Sequence, residues 1–479
     1  MGYPYKIPEY RILSPRDRDL ITETSLDVLQ NIGMKVPNAH IQEVAHGHGA
    51  HVDTSTDTIR FPRALVMEAI ETAGKRHILY GLDRRKQAEF GYDMFNFNGS
   101  SGQYQIVEGN LRRAPTRRDL RDAIRLGEGL DHVNIVGSLV VPADVPPGRA
   151  DVVSFFELIT LSSKPFTAWI YSGESARVII SLMQAAAGGR DELAKHPLSE
   201  AYIEPVSPLM FRPEGLDILL EFVQAGLPVG LSPMVQAGAT GPCSLAGAIA
   251  QENAEILGGI AVVQLLRRGH PVTYGGISHI FDVRAGAISF GSPEQALMAA
   301  ALTQIGRSYG FPVYSNTALS DSKAMDAQYG IEAGVTLAFG ALARSDLFGH
   351  LGICGADNAA SLTQLVIDDE LAAYAIRLFS GFGVSPASLA YKEIEKEGIG
   401  GNFLMNDLTL ENYAKELWFP EVFERSPWNI WEQSGSKNVA ERAAEKRTSI
   451  LSRPIRSTVS DETRRELEAI LKAHDVPIS

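Results

Sequence analysis

The feature that most constrains this chain is an alternation that begins near residue 93. Short apolar runs at 94–98, 133–140, 166–171, 201–206, 229–233, 272–276, 313–316 and 348–353 are each followed by a stretch of helical spacing. The spacing predicts helices near 116–130, 150–162, 174–187, 213–225, 244–268, 292–309, 327–345 and 366–382. The runs do not alternate apolar with polar. They are nearly continuously apolar, the pattern of strands buried on both faces of a parallel sheet. Pro165, Pro228, Pro271 and Pro312 stand just before four of them, where proline removes no ladder bond from a strand interior. Eight βα units in one series predict an α/β fold, a closed (β/α)8 TIM barrel. The competing arrangement is a doubly wound open sheet, but no GxGxxG follows the first run and no phosphate-binding GxxxxGK motif occurs.

At 479 residues the chain exceeds what a barrel needs. Residues 1–92 are expected to form an N-terminal α/β cap, 93–385 the barrel, and 386–479 a C-terminal extension packing on it. Within the cap, Ser14, Pro15 and Asp17 are an N-terminal helix signature, Gly33 can stop that helix, and a second helix is predicted near 62–73. The extension carries Trp418, Trp428 and Trp431 and ends in an amphipathic helix with Leu467, Ile470 and Leu471 on one face. A net charge of −13 argues against a dedicated nucleic-acid binder. Two cysteines, Cys243 and Cys354, exclude a disulfide scaffold and a multi-cysteine zinc module, and are expected to be small buried residues. No 18-residue stretch is free of charges and breaks, and the first twenty residues lack the apolar core of a secretory signal. A soluble cytoplasmic protein is expected. The long apolar helix at 246–266 points to a homo-oligomer, and Glu252 and Glu255 on it to packing or interface roles.

In a barrel, chemistry sits at the C-terminal ends of the strands and in the loops that follow. That rule selects Phe97 and Asn98; Trp169 and Tyr171; Glu204 and Phe211; Ser232, Met234 and Gln236; Tyr274, His279 and Asp282; Asn316, Asp321 and Lys323; and His350, Asp357 and Asn358. The set is rich in aromatics, holds a few carboxylates and has no metal-ligand spacing, so no bound metal is expected. Ring faces with one or two acids are what a quaternary ammonium needs, since that cation donates no hydrogen bond. The histidines of the tract at 46–51 read as a solvated loop.

Several segments carry more than residue type. Leu231 through Gly247, Gln251 through Glu255, Tyr274-Gly275-Gly276, Asp282 through Gly286, Gly291 through Glu294, Ser320 through Gln328 and Asp346 through Gly352 together resemble the trimethylamine methyltransferase (MttB-like) superfamily. The resemblance runs in order from about residue 14 past residue 435. It implies a TIM-barrel methyltransferase that passes a methyl group from a methylated amine to the cobalt of a corrinoid (cobalamin) carried by a separate partner protein. Founding members use pyrrolysine, which this chain lacks, and relatives without it include a glycine betaine methyltransferase. The substrate implied is therefore a quaternary amine of the betaine type. The segment 401–409 departs from a His-rich version expected in relatives, carrying Asn402, Asn406 and Asp407. If it lines the site, the substrate differs from glycine betaine.

Strand-end placement then assigns roles. Glu204 and His350 are the candidate catalytic groups, and Phe97, Trp169, Tyr171, Phe211 and Tyr274 are expected to hold the cation. Arg212, Asn316 and His350 would hold a betaine carboxylate, while Met234, Gln236, His279 and Asp321 would face the corrinoid partner docking on the barrel top. Two other readings stay open: a different barrel enzyme acting on a small anion through Glu204, His279 and His350, and a non-catalytic betaine binder.

Overall fold

A computed structural model describes residues 2–478. The alternation is present as eight strands, β1 (Met94–Gly99), β2 (Val136–Gly137), β3 (Phe166–Thr167), β4 (Ala201–Ile203), β5 (Val229–Leu231), β6 (Val272–Gly276), β7 (Val313–Ser315) and β8 (Leu347–Leu351). Each is followed by its helix: α1 (Arg117–Gly129), α2 (Ala150–Leu161), α3 (Gly173–Ala187), α4 (Pro213–Ala225), α5 (Leu245–Leu266), α6 (Pro293–Ser308), α7 (Ala327–Leu342) and α8 (Leu362–Phe379).

The strands pair in parallel from β4 through β8, and β8 pairs in parallel with β1. β2 pairs in parallel with β3. Regular pairing lapses at two joints. β1 meets β2 through the single bridge Asn98–Ile135, and β3 meets β4 through the Phe166 amide donating to the Leu198 carbonyl at 3.2 Å. The arrangement is a mixed α/β fold of TIM type in which the ladder is not closed by regular pairing. The first joint is tight because both strands carry glycine: a Cβ on Gly137 would lie 2.0 Å from the carbonyl oxygens of Gly99 and Ser100.

The first ninety residues form three helices, Pro15–Asp27, Ala39–Gly47 and Arg63–Thr72, and small antiparallel sheets. The middle helix falls where none was predicted. Ser14 caps the first helix, which continues as one π-turn, Val28–Ile32, and stops at Gly33 with φ 84°. All three helices pack on α5. Apart from half-buried Gln251, that helix is buried from Ala248 to Gln264, so this stretch offers no free apolar face for oligomerisation. A hairpin, His77–Tyr80 with Gln87–Phe90, sends Leu79, Ala88 and Phe90 into the same apolar cluster as Ile135, Tyr314 and Leu347. In the extension, helix Val439–Leu451 lies across α8 and α1, and helix Asp461–Ala473 lies on α3 with Leu467 and Leu471 fully buried. Two short sheets absent from the sequence expectation lie beyond the strand ends: Gln236–Ala237 with His279–Asp282 and Ala287–Ser289, and the Ile106–Glu108/Leu111–Arg113 hairpin joined to Ile353–Cys354 and Ala359–Ala360.

Candidate active site

At the C-terminal ends of the strands the side chains enclose a cavity. Its walls include Asn98 and Ser100 on and after β1, Trp169 after β3, Tyr202 and Glu204 on and after β4, Ser232 after β5, and Tyr314 and His350 of β7 and β8. Three of these are aromatic. Trp169 donates its indole N–H to the Ser101 carbonyl at 2.7 Å. Its ring lies over Gly102, where a Cβ would come within 2.2 Å of the indole, at a φ of +100° that suits glycine. Tyr202 and Tyr314 meet with ring centroids 5.1 Å apart. Tyr202 is anchored from below by its hydroxyl donating to buried Glu200 at 2.6 Å.

Glu204 is the unusual member. No hydrogen-bond or ion-pair partner holds its carboxyl among the described residues. Desolvation first, and the nearby charge of Asp357 second, push its pKa up to about 8, with Arg212 pulling the other way. Asp357 is itself raised to about 6 by desolvation, against the hydrogen bond from Gln103. His350 is lowered to about 4 by burial and is a neutral imidazole at ordinary pH. The charge of Asp357, which lies outside the cavity lining, thus disfavours ionisation of Glu204, and the cation that opposes this effect, Arg212, is an exposed residue. A bound cation would stabilise the second negative charge.

His350 is held in a left-handed backbone conformation, φ 72°. Such a conformation costs on the order of 1–3 kcal/mol in a non-glycine residue and persists where the surroundings over-determine it. Here the Tyr314 hydroxyl meets Nε2, Ser100 Oγ lies 3.4 Å from Nδ1, and Asn98 Oδ1 accepts from the His350 amide at 3.2 Å. Ser100 donates onward to Gln103 at 3.0 Å, and Gln103 donates to Asp357. The tautomer that satisfies this chain has Tyr314 donating to Nε2 and Nδ1–H facing Ser100. The Ser232 hydroxyl is buried without a partner.

The loops are pinned by buried carboxylates on α5, confirming a packing role for Glu252 and Glu255. Glu252 accepts from the Ile277 amide at 2.9 Å and from Ser278. Glu255 accepts from Ser207 at 2.7 Å and the Leu209 amide at 2.9 Å.

Of the residues expected from sequence, Trp169, Glu204 and His350 meet at the cavity, as do Asn98 and Ser232 from the wider strand-end set. The other aromatics do not. Phe97 points to the opposite face of β1 and stacks on Phe348 at 5.4 Å. Tyr274 points outward from β6, donates to Asn253 of α5 at 2.9 Å and stacks on Phe311. Phe211 is buried against α5 beside Gly259. Side chains alternate faces along a strand, so choosing the ring one position away selects the wrong layer. Tyr171 lies outside the lining, its amide bound to Asp151 at 2.9 Å. Arg212 is exposed at the start of α4, and Asn316 is fully buried with both amide atoms unpartnered and does not line the cavity.

Met234, Gln236, His279 and Asp321 also fall outside the cavity wall. Met234 packs on the cluster around Ile277 and Phe290. Gln236 is the register partner of His279 in the small sheet above β5 and β6. His279 is buried, stacks on Phe290 at 4.9 Å and is lowered to about 4 by burial. Asp321 accepts from the Phe290 amide at 2.7 Å and from Ser289. Glu204, His350 and His279 are thus not assembled around one cavity. Asn402, Asn406 and Asp407 do not line it either; Asn406 caps helix Asp407–Glu416. Cys354 is buried but Cys243 is exposed. His46, His48 and His51 are exposed, and no cluster among the described residues could hold a metal ion. The strand-end rule does not select Tyr202, Tyr314, Ser100 or Gln103, although strict alternation along β4 and β7 points the two tyrosines inward.

Fold and site define a mixed α/β protein of TIM type with an aromatic-walled cavity at the ends of its strands. The monomethylamine methyltransferase of Methanosarcina barkeri superposes with a TM-score of 0.51 at 10% identity, covering 97% of this chain and 96% of that one. A profile of the trimethylamine methyltransferase (MTTB) family matches residues 3–476, and the chain belongs to that family. It is a methyltransferase. Among its relatives, a glycine betaine methyltransferase of Desulfitobacterium hafniense is 30% identical over 89% of both chains. A trimethylamine methyltransferase of Methanosarcina thermophila is 28% identical over 92% of this chain and 93% of its own.

Proposed function

We propose that this methyltransferase takes its methyl group from a quaternary amine of the betaine type and delivers it to the Co(I) corrinoid of a separate protein. The observation that carries the reading is Glu204, a carboxyl without a partner, in a cavity walled by Trp169, Tyr202 and Tyr314. Ring faces and a carboxylate that ionises on contact suit a cation that cannot donate a hydrogen bond. The relative named for glycine betaine supports this class, and the one named for trimethylamine supports methyl transfer from a methylated amine more broadly.

The chemistry asks little acid–base work of the chain. The nitrogen keeps the bonding pair and departs as a neutral tertiary amine, while the corrinoid accepts the methyl group as co-substrate. The protein's part is to hold one N-methyl in line, orient the rest of the substrate and exclude water. Ser232, whose hydroxyl lacks a partner, and the Asn98 amide are the donors available to a substrate carboxylate. The barrel-top face around the cavity is where a corrinoid partner would dock, and a Co(I) co-substrate fits a cytoplasmic, reducing setting.

Calorimetric titration with glycine betaine, proline betaine, carnitine and trimethylamine, followed by loss of the Co(I) absorbance with cobalamin, tests this. At least one quaternary amine is expected to bind and turn over. Turnover of trimethylamine alone, or binding of the whole panel without methyl transfer, overturns it.

A further inference from the structure

Residues 382–412 form an arm that buries none of its apolar side chains in its own chain. It contains helix Tyr391–Glu397 and the start of helix Asp407–Glu416, and neither helix has a buried residue. Phe382 and Met405 are 80% exposed and Leu404 71%; Leu389, Ile394 and Leu410 are also exposed. No apolar side chain of the arm packs against the core. Soluble proteins do not leave this much large apolar surface in water unless something covers it.

The same chain carries an unfilled apolar groove of about 510 Å³ between α7 and α8. Ile331, Val335, Tyr374 and Leu378 line it and are themselves 48–65% exposed. It continues into a surface lined by Leu417, Trp418 and Phe419, where the chain returns from the arm.

We propose that the arm of one copy packs in the α7–α8 groove of a second copy. Two observations choose this occupant. First, helices run back along the strands in βα units, so α8 ends at the strand-start end of the fold. Its last carbonyl, Phe379, accepts from the Lys6 amide at 3.2 Å, and the neighbouring Tyr5 amide donates to Asp93, just ahead of β1. The arm therefore leaves from the end opposite the cavity, the wrong place for a partner serving the active site. Second, a partner that cycles on and off needs a face that tolerates water when alone, whereas an arm this apolar needs a permanent cover, as obligate self-interfaces provide. Exchange of arms between two copies satisfies both surfaces with one isologous contact.

The test uses the full chain in analytical ultracentrifugation at micromolar concentration. The unmodified protein is expected to sediment as a multiple of the 52.0 kDa chain. Leu404→Asp with Met405→Asp in the arm, and separately Ile331→Asp with Val335→Asp in the groove, are each expected to give monomer with unchanged far-ultraviolet circular dichroism. All four positions are exposed, so the fold tolerates charge there. Cross-linking of a mixed ¹⁴N/¹⁵N sample gives a second readout without mutation, expected to join arm peptides of one label to α7 or α8 peptides of the other. A monomeric unmodified protein, an oligomer that survives either double substitution, or inter-copy cross-links elsewhere only would overturn the proposal. So would arm burial by lipid vesicles while the protein stays monomeric.

Discussion

Glu204 concentrates the consequences that belong to single residues. Its carboxyl is raised from an ordinary 4.5 to about 8, chiefly by desolvation. The folded state therefore holds a proton that the unfolded chain releases, and this contribution to stability is present below pH 4.5 and lost as pH rises to about 8. Glu204→Gln should flatten that part of the stability–pH curve, measured by thermal unfolding from pH 4 to 9. A cation bound beside Glu204 favours the ionised form, so amine affinity should rise roughly tenfold between pH 7 and pH 9 and then level off. Calorimetry across that range checks this, and Glu204→Gln should abolish the dependence. Trp169→Ala should weaken quaternary-amine binding by roughly 5–30-fold, the ~1–2 kcal/mol of a partly desolvated cation–π contact. Phe97→Ala makes the opposite pattern. It should cost about 3–5 kcal/mol of stability in urea unfolding while leaving amine affinity unchanged, because that ring fills core against Phe348.

Between elements, buried charged side chains serve backbone groups that the fold would otherwise strand. Lys164, buried in the turn before β3, donates to the carbonyls of Gly127, Leu130 and Val133 at 2.9, 2.5 and 2.8 Å, closing the end of α1. Burial lowers its pKa to about 8, against the pull of Glu128 and Asp369. Lys164→Met leaves three carbonyls without a donor and should cost roughly 2–4 kcal/mol in denaturant unfolding. Asp369 of α8 accepts from the His132 and Val133 amides at 2.7 and 3.2 Å, and Glu370 accepts from three successive amides at 421–423. Glu252 and Glu255 do the same for the loops after β6 and β4. Helices α5 and α8 thus fix the loops and joints around the barrel through carboxylates, which explains acids at positions that apolar periodicity would leave to leucine.

Across the molecule, the flanking segments are fastened to the βα series at many points. Arg447 of helix Val439–Leu451 meets Glu108 and Thr363, tying the extension to the hairpin after β1 and to α8. The Thr458 amide and hydroxyl both reach carbonyls at the end of α2. Leu467 and Leu471 are fully buried where the last helix crosses α3. Leu471→Asp buries an unpaired charge there and should cost about 3 kcal/mol or more, lowering the temperature of thermal unfolding. Calorimetry is expected to show the extension and the βα series melting together.

Much of this was legible in the order of residues. The eight strands and eight helices lie within a few residues of their expected places, because burial on both faces forces continuous apolar runs and amphipathic spacing forces helices. Family membership was legible too, carried by motifs such as Leu231–Gly247 and Ser320–Gln328. That Trp169, Glu204 and His350 line the cavity was legible from their places at strand ends. Three things were settled only by tertiary structure. Which ring faces the cavity depends on a one-residue register, and that excluded Phe97 and Tyr274 in favour of Tyr202 and Tyr314. The short top sheets carry too few residues for a periodic signal. The protonation of Glu204 depends on what withdraws it from water and on Asp357, more than a hundred and fifty positions away along the chain. Local pattern specifies elements because periodicity is a property of neighbours in sequence, whereas facing, burial and charge are properties of neighbours in space.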